Sequence, residues 1–435
     1  MTPPGSYDID MVSMNAVPPS PAATEETLAG PVASGQSPAL SETAPPETTA
    51  AGTDYVAPPR LVSLDALRGF SMFWILGASA FEGAFHELAH GDKSGHHLPA
   101  WLQAVVEFFD VQFQHVKWEG FHFEDLIFPL FVFASGVAIA LTIPRKVERH
   151  GRRGVAWRTA RRAGVLFLLG IWFSGGMSRG FDNIRILGVL QRIAIAYFFA
   201  VWLFLYLKPR GLIAVTVGLL VGYWALLAGV AAPGEEHATF AEGHNLTNYL
   251  DRMYLPLKKY DGDHDPEGML SNIPAIASAL LGVLVGLSVE KSKASAESKA
   301  LSVMGAGLAL AALGYLFGAE CPIIKKLWTP SFVLVAGGWS TFLFGLFYFV
   351  IDVQKVRRWS IPFIWIGMNP ILLYLLQNVA PAGGMASRLV GGDVYRWFNE
   401  RLLAGLGDFV LAVVATSISV ALAWFLHNRR IFLRF

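Results

Sequence analysis

The chain alternates between long apolar segments and shorter polar ones. From Leu67 onward, segments of about 17–25 predominantly apolar residues, the length that crosses a bilayer as a helix, follow one another. About ten are found, at 66–89, 123–143, 160–176, 187–207, 211–231, 272–289, 299–319, 330–351, 361–380 and 406–426. Helices surrounded by lipid and protein are apolar on every side, so no amphipathic period is expected in them. The pattern predicts an all-α, polytopic membrane domain over residues 59–435.

Residues 1–58 have a different composition. They are rich in Pro, Ala, Thr, Ser and Glu and contain no Lys or Arg. Such a stretch buries too little apolar surface to offset the entropy lost on ordering. It also lacks the basic and apolar regions of a signal peptide. We therefore expect residues 1–58 to form a disordered tail.

The overall composition agrees with a membrane protein. Only 15% of the residues are charged, whereas soluble domains carry about 25%. With a net charge of +1 and no separate basic domain, nucleic acid is not an expected partner. The single cysteine, Cys321, excludes an intramolecular disulfide or a four-cysteine zinc site. No obvious base lies near it in sequence, so a nucleophilic Cys321 is not favoured.

Orientation follows from the basic loops. The densest cationic run, RKVERHGRRGVAWRTARR, follows the second apolar segment, and short loops rich in Lys and Arg stay in the cytoplasm. The same side then receives Lys208 and Arg210, Lys291 and Lys293, Lys355, Arg357 and Arg358, and Arg429, Arg430 and Arg434. Both termini are predicted to be cytoplasmic, whereas the segments 90–122 and 232–271 face outward. Long ordered loops are often functional, so these two are expected to form a substrate cap.

The candidate chemistry is concentrated in the stretch HVKWEGFHFEDLIFPLFVFASG, which begins at His115. A titratable cluster at the mouth of a membrane helix is costly and points to function. An imidazole at this position suits removal of a proton from an amine or hydroxyl; the alternative is a loop histidine that only packs. Other histidines compete for the role: His86, His90, His96, His97 and His122.

Asp125 is the acid expected to work with His115. In a first helical turn the helix dipole alone explains an acid. In the functional interpretation, Asp125 orients His115 through its second ring nitrogen, as in a catalytic triad, or binds an ammonium group. Glu124 is the alternative acid.

Two arginines and an acidic motif extend the candidate site. Arg185 and Arg192 are seven residues apart, which predicts a shared helix face, and Arg192 lies within an apolar run. An intramembrane arginine needs a partner or a polar cavity. We favour a polar cavity or an ion pair, with Asp125, Glu267 or Asp65 as partner, over a lipid-facing side chain.

The motif from Asp265 to Gly268, DPEG, places carboxylates at another predicted outward helix mouth. Asn369, Gln377 and Asn378 are polar residues within the ninth segment, where hydrogen bonding between helices is the stronger explanation. Substrate contacts are assigned to Trp118, Glu124, Arg185, Gln191, Arg192, Asp265, Glu267 and Asn369.

The segment from His86 to His90 reads HExxH, the zinc-protease pattern of two ligands and a general base. A third ligand could come from His96, His97, Glu107 or Asp110. Histidine-rich loops also produce such matches without binding metal. The stretch HGDKSGHH that follows is typical of a polar turn, so we favour a chance match at the end of the first apolar segment and expect no metal.

Several blocks of the sequence resemble one family. The block RLVSLDALRG at Arg60–Gly69, the stretch from His115 to Gly136 with its W-x-G and DLIFP elements, IRILGVLQRI at Ile184–Ile193, the DPEG motif, and Pro362–Asn369 occur in the same order in membrane acyltransferases related to heparan-alpha-glucosaminide N-acetyltransferase. That family includes bacterial proteins. The blocks cover nearly the whole chain after residue 58. As a departure, Ser79 falls where the animal enzyme has Asn.

The resemblance implies a multispanning enzyme that transfers acetyl from cytosolic acetyl-CoA to an amino sugar or related glycan across the membrane. His115 falls on the family's catalytic histidine, acting as general base or as acetyl carrier, and Asp125 lies close to it. A bacterial inner membrane is the expected location, with lipid as a partner and a homodimer as one alternative for the assembly. The competing interpretation is an exporter of an amphipathic sugar or lipid-linked substrate without acyl chemistry.

Overall fold

The computed structural model describes residues 61–91, 98–178 and 180–433, and its architecture is a bundle of α-helices. Within these ranges there is no β-strand, and the extended pairing consists of the isolated bridges Glu119–Ile324 and Lys259–Gly262. The predicted all-α membrane fold is therefore confirmed. The predicted tail at 1–58 lies outside the described residues, as do His96, His97 and Arg434.

Fourteen α-helices are found in the described residues. They are α1 Val62–His90, α2 Ala100–Phe113, α3 Phe123–Phe173, α4 Val189–Tyr206, α5 Pro209–Gly229, α6 Leu246–Tyr254, α7 Asn272–Lys291, α8 Ala296–Phe317, α9 Pro330–Phe347, α10 Ile361–Met368, α11 Pro370–Val379, α12 Ala382–Val390, α13 Asp393–Trp397 and α14 Leu406–Asn428. A π-helical turn, Tyr348–Val353, extends α9.

Each of the ten predicted apolar segments coincides with a helix or part of one. Among the described residues, seven helices are long and apolar enough to cross a membrane, and the bent pair α10–α11 would make eight. The difference from ten arises because α3 contains both the second and the third predicted segments, and because α1 is not among the seven. Gly151, with φ 64°, interrupts the helical geometry between the two parts of α3. These helices indicate an integral membrane protein.

The centre of the bundle is built on backbone contact between α3 and α7. A Cβ atom added to Gly136 would lie 1.9 Å from the carbonyl oxygen of Ala279, and one added to Gly282 would lie 2.0 Å from that of Phe133. Small residues at a membrane-helix crossing allow this approach. The first half of α3, which begins at the predicted site, is thus fixed against its neighbour.

A second close crossing joins α1 to α10. A Cβ atom on Gly69 would lie 1.6 Å from the carbonyl oxygen of Phe363. Directly after α10 the chain bends by 71° at Asn369. The Asn369 side chain donates to the carbonyl of Ile431 at 2.8 Å and accepts from the amide of Leu433 at 3.1 Å. It therefore ties the bend to the chain after α14.

An aromatic cluster places α2 against α1 and the start of α3. The Phe85 ring stacks on Phe109 and Phe113 with centroid separations of 5.3 and 5.4 Å. Trp74 contacts Phe113 at 5.0 Å and the edge of Phe123 at 5.5 Å. Because α2 ends at Phe113, this packing determines where the following His115 lies.

Candidate functional site

The structure brings His115 and Asp125 together. His115 follows α2, and Asp125 lies in the first turn of α3. Nδ1 of the imidazole lies 3.1 Å from Oδ1 of the carboxylate. The Asp125 side chain is 1% exposed and that of His115 59%. The acid is therefore buried behind an imidazole that is accessible on its other side.

Asp125 also holds the loop that carries His115. Its Oδ2 accepts from the amides of Val116 at 3.4 Å and His122 at 3.2 Å. His122 is the N-cap of α3 and forms a reciprocal capping box with Asp125. Backbone donors and the helix N-terminus both favour a negative carboxylate at this position. The local sequence therefore explains the geometry: a capping acid is placed where it also contacts the imidazole.

Lys325 is a third member of this group and was missed from the sequence. Its Nζ lies 3.0 Å from Oδ1 of Asp125 and 3.1 Å from Nδ1 of His115. The loop that carries it is positioned by the bridge between Glu119 and Ile324. A signal was present: Lys325 and Lys326 lie in a loop that the predicted topology puts outside, opposite every other basic loop considered, and such an exception to the charge rule calls for an explanation.

The tautomer of His115 decides which group its Nδ1 bonds, because that nitrogen contacts both an acceptor, Asp125, and a donor, Lys325. One ring nitrogen can donate or accept a hydrogen bond but cannot do both at once. If Nδ1 donates to Asp125, then Nε2 keeps its lone pair and can accept a proton. Nε2 points toward Glu124, whose Oε1 is 3.9 Å away. The ammonium group of Lys325 shares Asp125 with the imidazole and balances part of its charge.

These residues open into a cavity of about 450 Å³, within the range of small-molecule sites. The structure brings together most of the predicted site residues here. Lining residues from that set are His115, Trp118, Glu124, Asp125, Arg185, Arg192 and Glu267. Lys325, Lys326, Tyr260, Trp328 and Tyr374, which the sequence interpretation did not include, line it as well.

Arg185 forms an ion cluster with the DPEG motif at one wall of the cavity. Its guanidinium donates to both oxygens of Asp265, at 2.8 and 2.6 Å, and to Glu267 at 2.6 Å. The ring of Tyr260 lies 4.9 Å from the guanidinium carbon. The two carboxylates outweigh the effect of burial and raise the pKa of Arg185. This arginine is a fixed positive charge whose partners are already bound.

The prediction that Arg185 and Arg192 share a helix face is wrong. α4 begins at Val189, and the extended backbone of Gly188, with φ −174°, separates Arg185 from it. Both arginines still line the cavity. The spacing of seven predicts a shared face only within a regular helix, and α4 begins after Gly188.

Arg192 is buried and polar-bound, so the lipid-facing alternative is wrong. It is 1% exposed. It donates to the carbonyl of Pro266 at 2.8 Å and to the hydroxyl of Ser271. Its guanidinium lies over the ring of Trp328 at 4.5 Å. These contacts hold the cavity wall together between α4 and the start of α7.

Three of the predicted site residues are incompletely bonded. Oε2 of Glu124, Nε2 of Gln191 and Nε of Arg192 are buried and have no hydrogen-bond partner among the described residues. Such atoms are costly unless a ligand or water reaches them. Glu124 lines the 450 Å³ cavity, whereas Gln191 lines an adjacent one of about 310 Å³ that shares Arg185 and Tyr374 with it.

Trp118 and Asn369 complete the predicted set. The Trp118 indole donates to the carbonyl of Phe240 at 2.9 Å, and Lys326 lies 5.8 Å from its ring centre. Asn369 is not brought together with the others; its neighbours Met368 and Pro370 line a different cavity.

Cys321 is buried, and burial raises the pKa of its thiol, which does not suit a nucleophile.

The other end of the bundle carries basic cavities. One of about 510 Å³ is lined by Lys146, His150, Arg158, Arg161 and Arg162. Another, of about 280 Å³, is lined by Asp65, Arg68, Lys146, Arg162 and residues of α10 and α11. Both combine several cationic side chains, as a site for a polyanion requires.

The 280 Å³ cavity and the His115 cavity share three helices. On α1, Arg68 lines the 280 Å³ cavity and Ile75 lines the His115 cavity. The corresponding pairs are Arg162 and Phe173 on α3, and Ile371 and Tyr374 on α11. With a helical rise of about 1.5 Å per residue, these pairs are separated by only about 5 to 16 Å. Between them the helices carry the buried apolar side chains Met72, Leu166 and Leu373. Along these three helices, a thin layer of about one to three helical turns thus separates the residues that line the two cavities.

Fold and site together define a polytopic helical membrane protein with an acid–base group facing a cavity. No protein-family model matches the chain. Among curated proteins, heparan-alpha-glucosaminide N-acetyltransferase of Homo sapiens is 26% identical over 438 residues, covering 86% of this chain and 60% of that protein. The Mus musculus protein of the same name is 26% identical over 382 residues, covering 74% of this chain and 56% of its own length.

These two matches support a family-level relationship between the chain and heparan-alpha-glucosaminide N-acetyltransferase, as the sequence blocks predicted. The chain spans about 60% of the length of the curated relatives that it matches. The activity of the relatives as whole proteins therefore enters below as a proposal.

Proposed function

We propose that the chain is a membrane acetyltransferase that moves an acetyl group from acetyl-CoA to the amine or hydroxyl of an amino sugar or related glycan. The observation that carries the proposal is the contact between His115 and the buried Asp125, 3.1 Å apart at the mouth of a cavity. The names of the two relatives support the same class of reaction.

In the direct mechanism, Nε2 of His115 removes a proton from the acceptor as it attacks the thioester carbonyl. The carbon–sulfur bond then breaks, and the protonated imidazole returns the proton to the sulfur of CoA. The products are the acetylated acceptor and CoA, with no net change in protons. Asp125 holds the imidazole in the tautomer that leaves Nε2 free and stabilises its protonated form.

A covalent variant uses the same geometry. Nε2 of His115 attacks the thioester itself, CoA leaves, and the acetyl-imidazole is then attacked by the acceptor. This route moves acetyl across the membrane without moving CoA. The thin layer between the two cavities suits either route, because only the end of the donor has to reach His115.

The acceptor is assigned to the cavity that contains His115. In this cavity, Oε2 of Glu124 has no hydrogen-bond partner among the described residues and can accept a hydrogen bond from an ammonium or hydroxyl group. The indole of Trp118 offers an apolar face. Aromatic faces and a few convergent polar groups are typical of ligand cavities. Glu267 and Arg185 form the opposite polar wall.

The donor is assigned to the basic end of the bundle. The cationic side chains of Lys146, Arg158, Arg161 and Arg162 suit the phosphates of acetyl-CoA because guanidinium and ammonium groups bind phosphate strongly. In the predicted orientation this end faces the cytoplasm, where acetyl-CoA is available. We place the protein in a bacterial inner membrane, with both termini on that side.

The test uses purified protein in detergent with radiolabelled acetyl-CoA and glucosamine. We expect label to reach glucosamine, and His115→Ala to lower the rate by at least about 100-fold, the scale of general acid–base catalysis. Replacing the exposed His237 with Ala is the matched control and should change little.

The outcomes separate the alternatives. Label that stays on the protein without acceptor and then transfers when glucosamine is added identifies the covalent variant. Normal turnover by His115→Ala would overturn the role of His115. If the protein neither turns over nor binds acetyl-CoA, the proposal is overturned and the exporter is favoured.

A further inference from the structure

A second group of titratable side chains lies outside the cavity, where α1 ends against α2. His86 and His90 are one helical turn apart on α1, and Asp110 is on α2. Nδ1 of His86 lies 3.5 Å from Oδ1 of Asp110, and Nε2 of His90 lies 3.1 Å from Oδ2. One ligand atom from each residue can be chosen so that all three lie within 4.8 Å of one another.

The spacing of these atoms fits a divalent transition metal. With ligand bonds of about 2.0–2.1 Å, two ligands of a tetrahedral zinc ion are about 3.3 Å apart. Each imidazole lies at about that distance from one of the two carboxylate oxygens of Asp110, His86 from Oδ1 at 3.5 Å and His90 from Oδ2 at 3.1 Å. Two imidazoles and one carboxylate are a common ligand set for zinc that leaves a fourth position for water. The imidazoles are 55% and 56% exposed, so an ion can enter from solvent.

The buried carboxylate is the strongest argument for a cation. Asp110 is 4% exposed. No Lys or Arg among the described residues lies within salt-bridge distance of it, and its partners are the two imidazoles and the amide of Gln114, which donates to Oδ1 at 2.7 Å. A buried carboxylate needs charge compensation, and a divalent cation held between Asp110 and the two imidazoles would give it. Gln114 orients the acid as second-layer residues commonly orient metal ligands.

A comparable group elsewhere lacks this property. Glu242, Asp261 and His264 also lie close together. There, however, the ammonium of Lys326 lies 2.9 Å from both carboxylates and already compensates their charge. The residues around Asp110 are therefore the better candidate of the two.

We propose that His86, His90 and Asp110 bind one divalent transition-metal ion, with zinc as the best fit. The ion clamps the end of α1 to α2. The role assigned is structural, because the ligands belong to a helix junction and the proposed chemistry lies at His115, five residues after Asp110. By fixing α2, the ion would steady the segment that leads to His115.

The test measures metal binding and does not depend on acetyl transfer, so it can fail independently of the proposed function. The full chain in detergent is stripped with a chelator and titrated with zinc. We expect one bound zinc per chain, a rise of several degrees in Tm, and a tetrahedral absorption spectrum with cobalt. Asp110→Asn and His90→Gln should each lower zinc affinity at least about 10-fold, and Gln114→Ala about 10-fold.

Two controls make the result specific. His237→Ala and His264→Ala should leave the zinc stoichiometry and the Tm shift unchanged. If Asp110→Asn fails to fold, His90→Gln and the cobalt spectrum of the unmodified chain carry the test. Zinc binding unaltered in His90→Gln, or no zinc-dependent Tm shift in the unmodified chain, would overturn the proposal.

Discussion

Nζ of Lys325 lies 3.0 Å from Oδ1 of Asp125, the same oxygen that faces His115. The lysine side chain is 25% exposed and the aspartate 1%. The buried carboxylate therefore has two partners, the ammonium group of Lys325 and the imidazole of His115, and both contact the same oxygen.

Removing the lysine charge should slow transfer. In Lys325→Gln, the carboxylate of Asp125 is left with the imidazole as its main counter-charge, so the protonated ring is held more tightly and returns its proton less readily. We expect kcat to fall about 10- to 100-fold, within the range of one acid–base contribution. Lys325→Arg keeps the charge in a different shape and should retain more activity. Unchanged kcat in Lys325→Gln, measured on protein of unaltered Tm, would remove Lys325 from the mechanism.

The cluster around Arg185 should be essential for stability. Arg185→Gln leaves the buried Asp265 and the partly buried Glu267 without their cation, and breaking a buried pair costs about 3–5 kcal/mol. We expect a large drop in Tm. The control is Arg252→Gln, because Arg252 and Asp263 form a pair that is nearly half exposed on both sides and is worth about 0–1 kcal/mol. Equal effects of the two substitutions would contradict the assignment.

The crossing of α3 and α7 gives a prediction about packing. In Gly136→Ala the new methyl group would overlap the carbonyl of Ala279, and the helices must separate; such overpacking costs about 1–3 kcal/mol. Gly218→Ala in α5 is the matched control because nothing lies within 4 Å of its added Cβ. Thermal unfolding in detergent should show a lower Tm for the first variant and an equal or higher Tm for the second.

Stability should depend on pH through Asp251. This buried acid accepts from the amide of Met269 at 2.9 Å, yet burial raises its pKa to about 6, above the value of about 3.9 in an unfolded chain. The folded state then binds more protons than the unfolded state between pH 4 and pH 6, so the contribution of Asp251 is present at low pH and lost as pH rises through this window.

Asp251→Asn isolates the effect, because the amide imitates the protonated acid. Thermal unfolding of both proteins from pH 4 to pH 7.5 should show the unmodified chain losing stability relative to the variant up to about pH 6, with a constant difference above. Parallel curves across the whole range would show that Asp251 does not titrate as stated.

Local sequence was enough for the helices and for part of the site. His115 and Asp125 are ten residues apart, and a capping acid beside a loop imidazole follows from that spacing. Lys325 is 210 residues from His115, and only the pairing of two loops brings them together. A periodicity argument carries no information about such a contact. Arg185 likewise lies before the helix predicted for it, because α4 begins only after Gly188.

The thin layer between the two cavities has a consequence for the membrane itself. A passage wide enough for a whole coenzyme would also conduct protons and ions and would discharge any gradient across the bilayer. Met72, Leu166 and Leu373 are packed and apolar on the helices that line both cavities. In the proposed reaction only the acetyl-bearing end of the donor has to pass them, and the rest of the coenzyme stays behind. Chemistry could then proceed across an energised membrane without creating a leak.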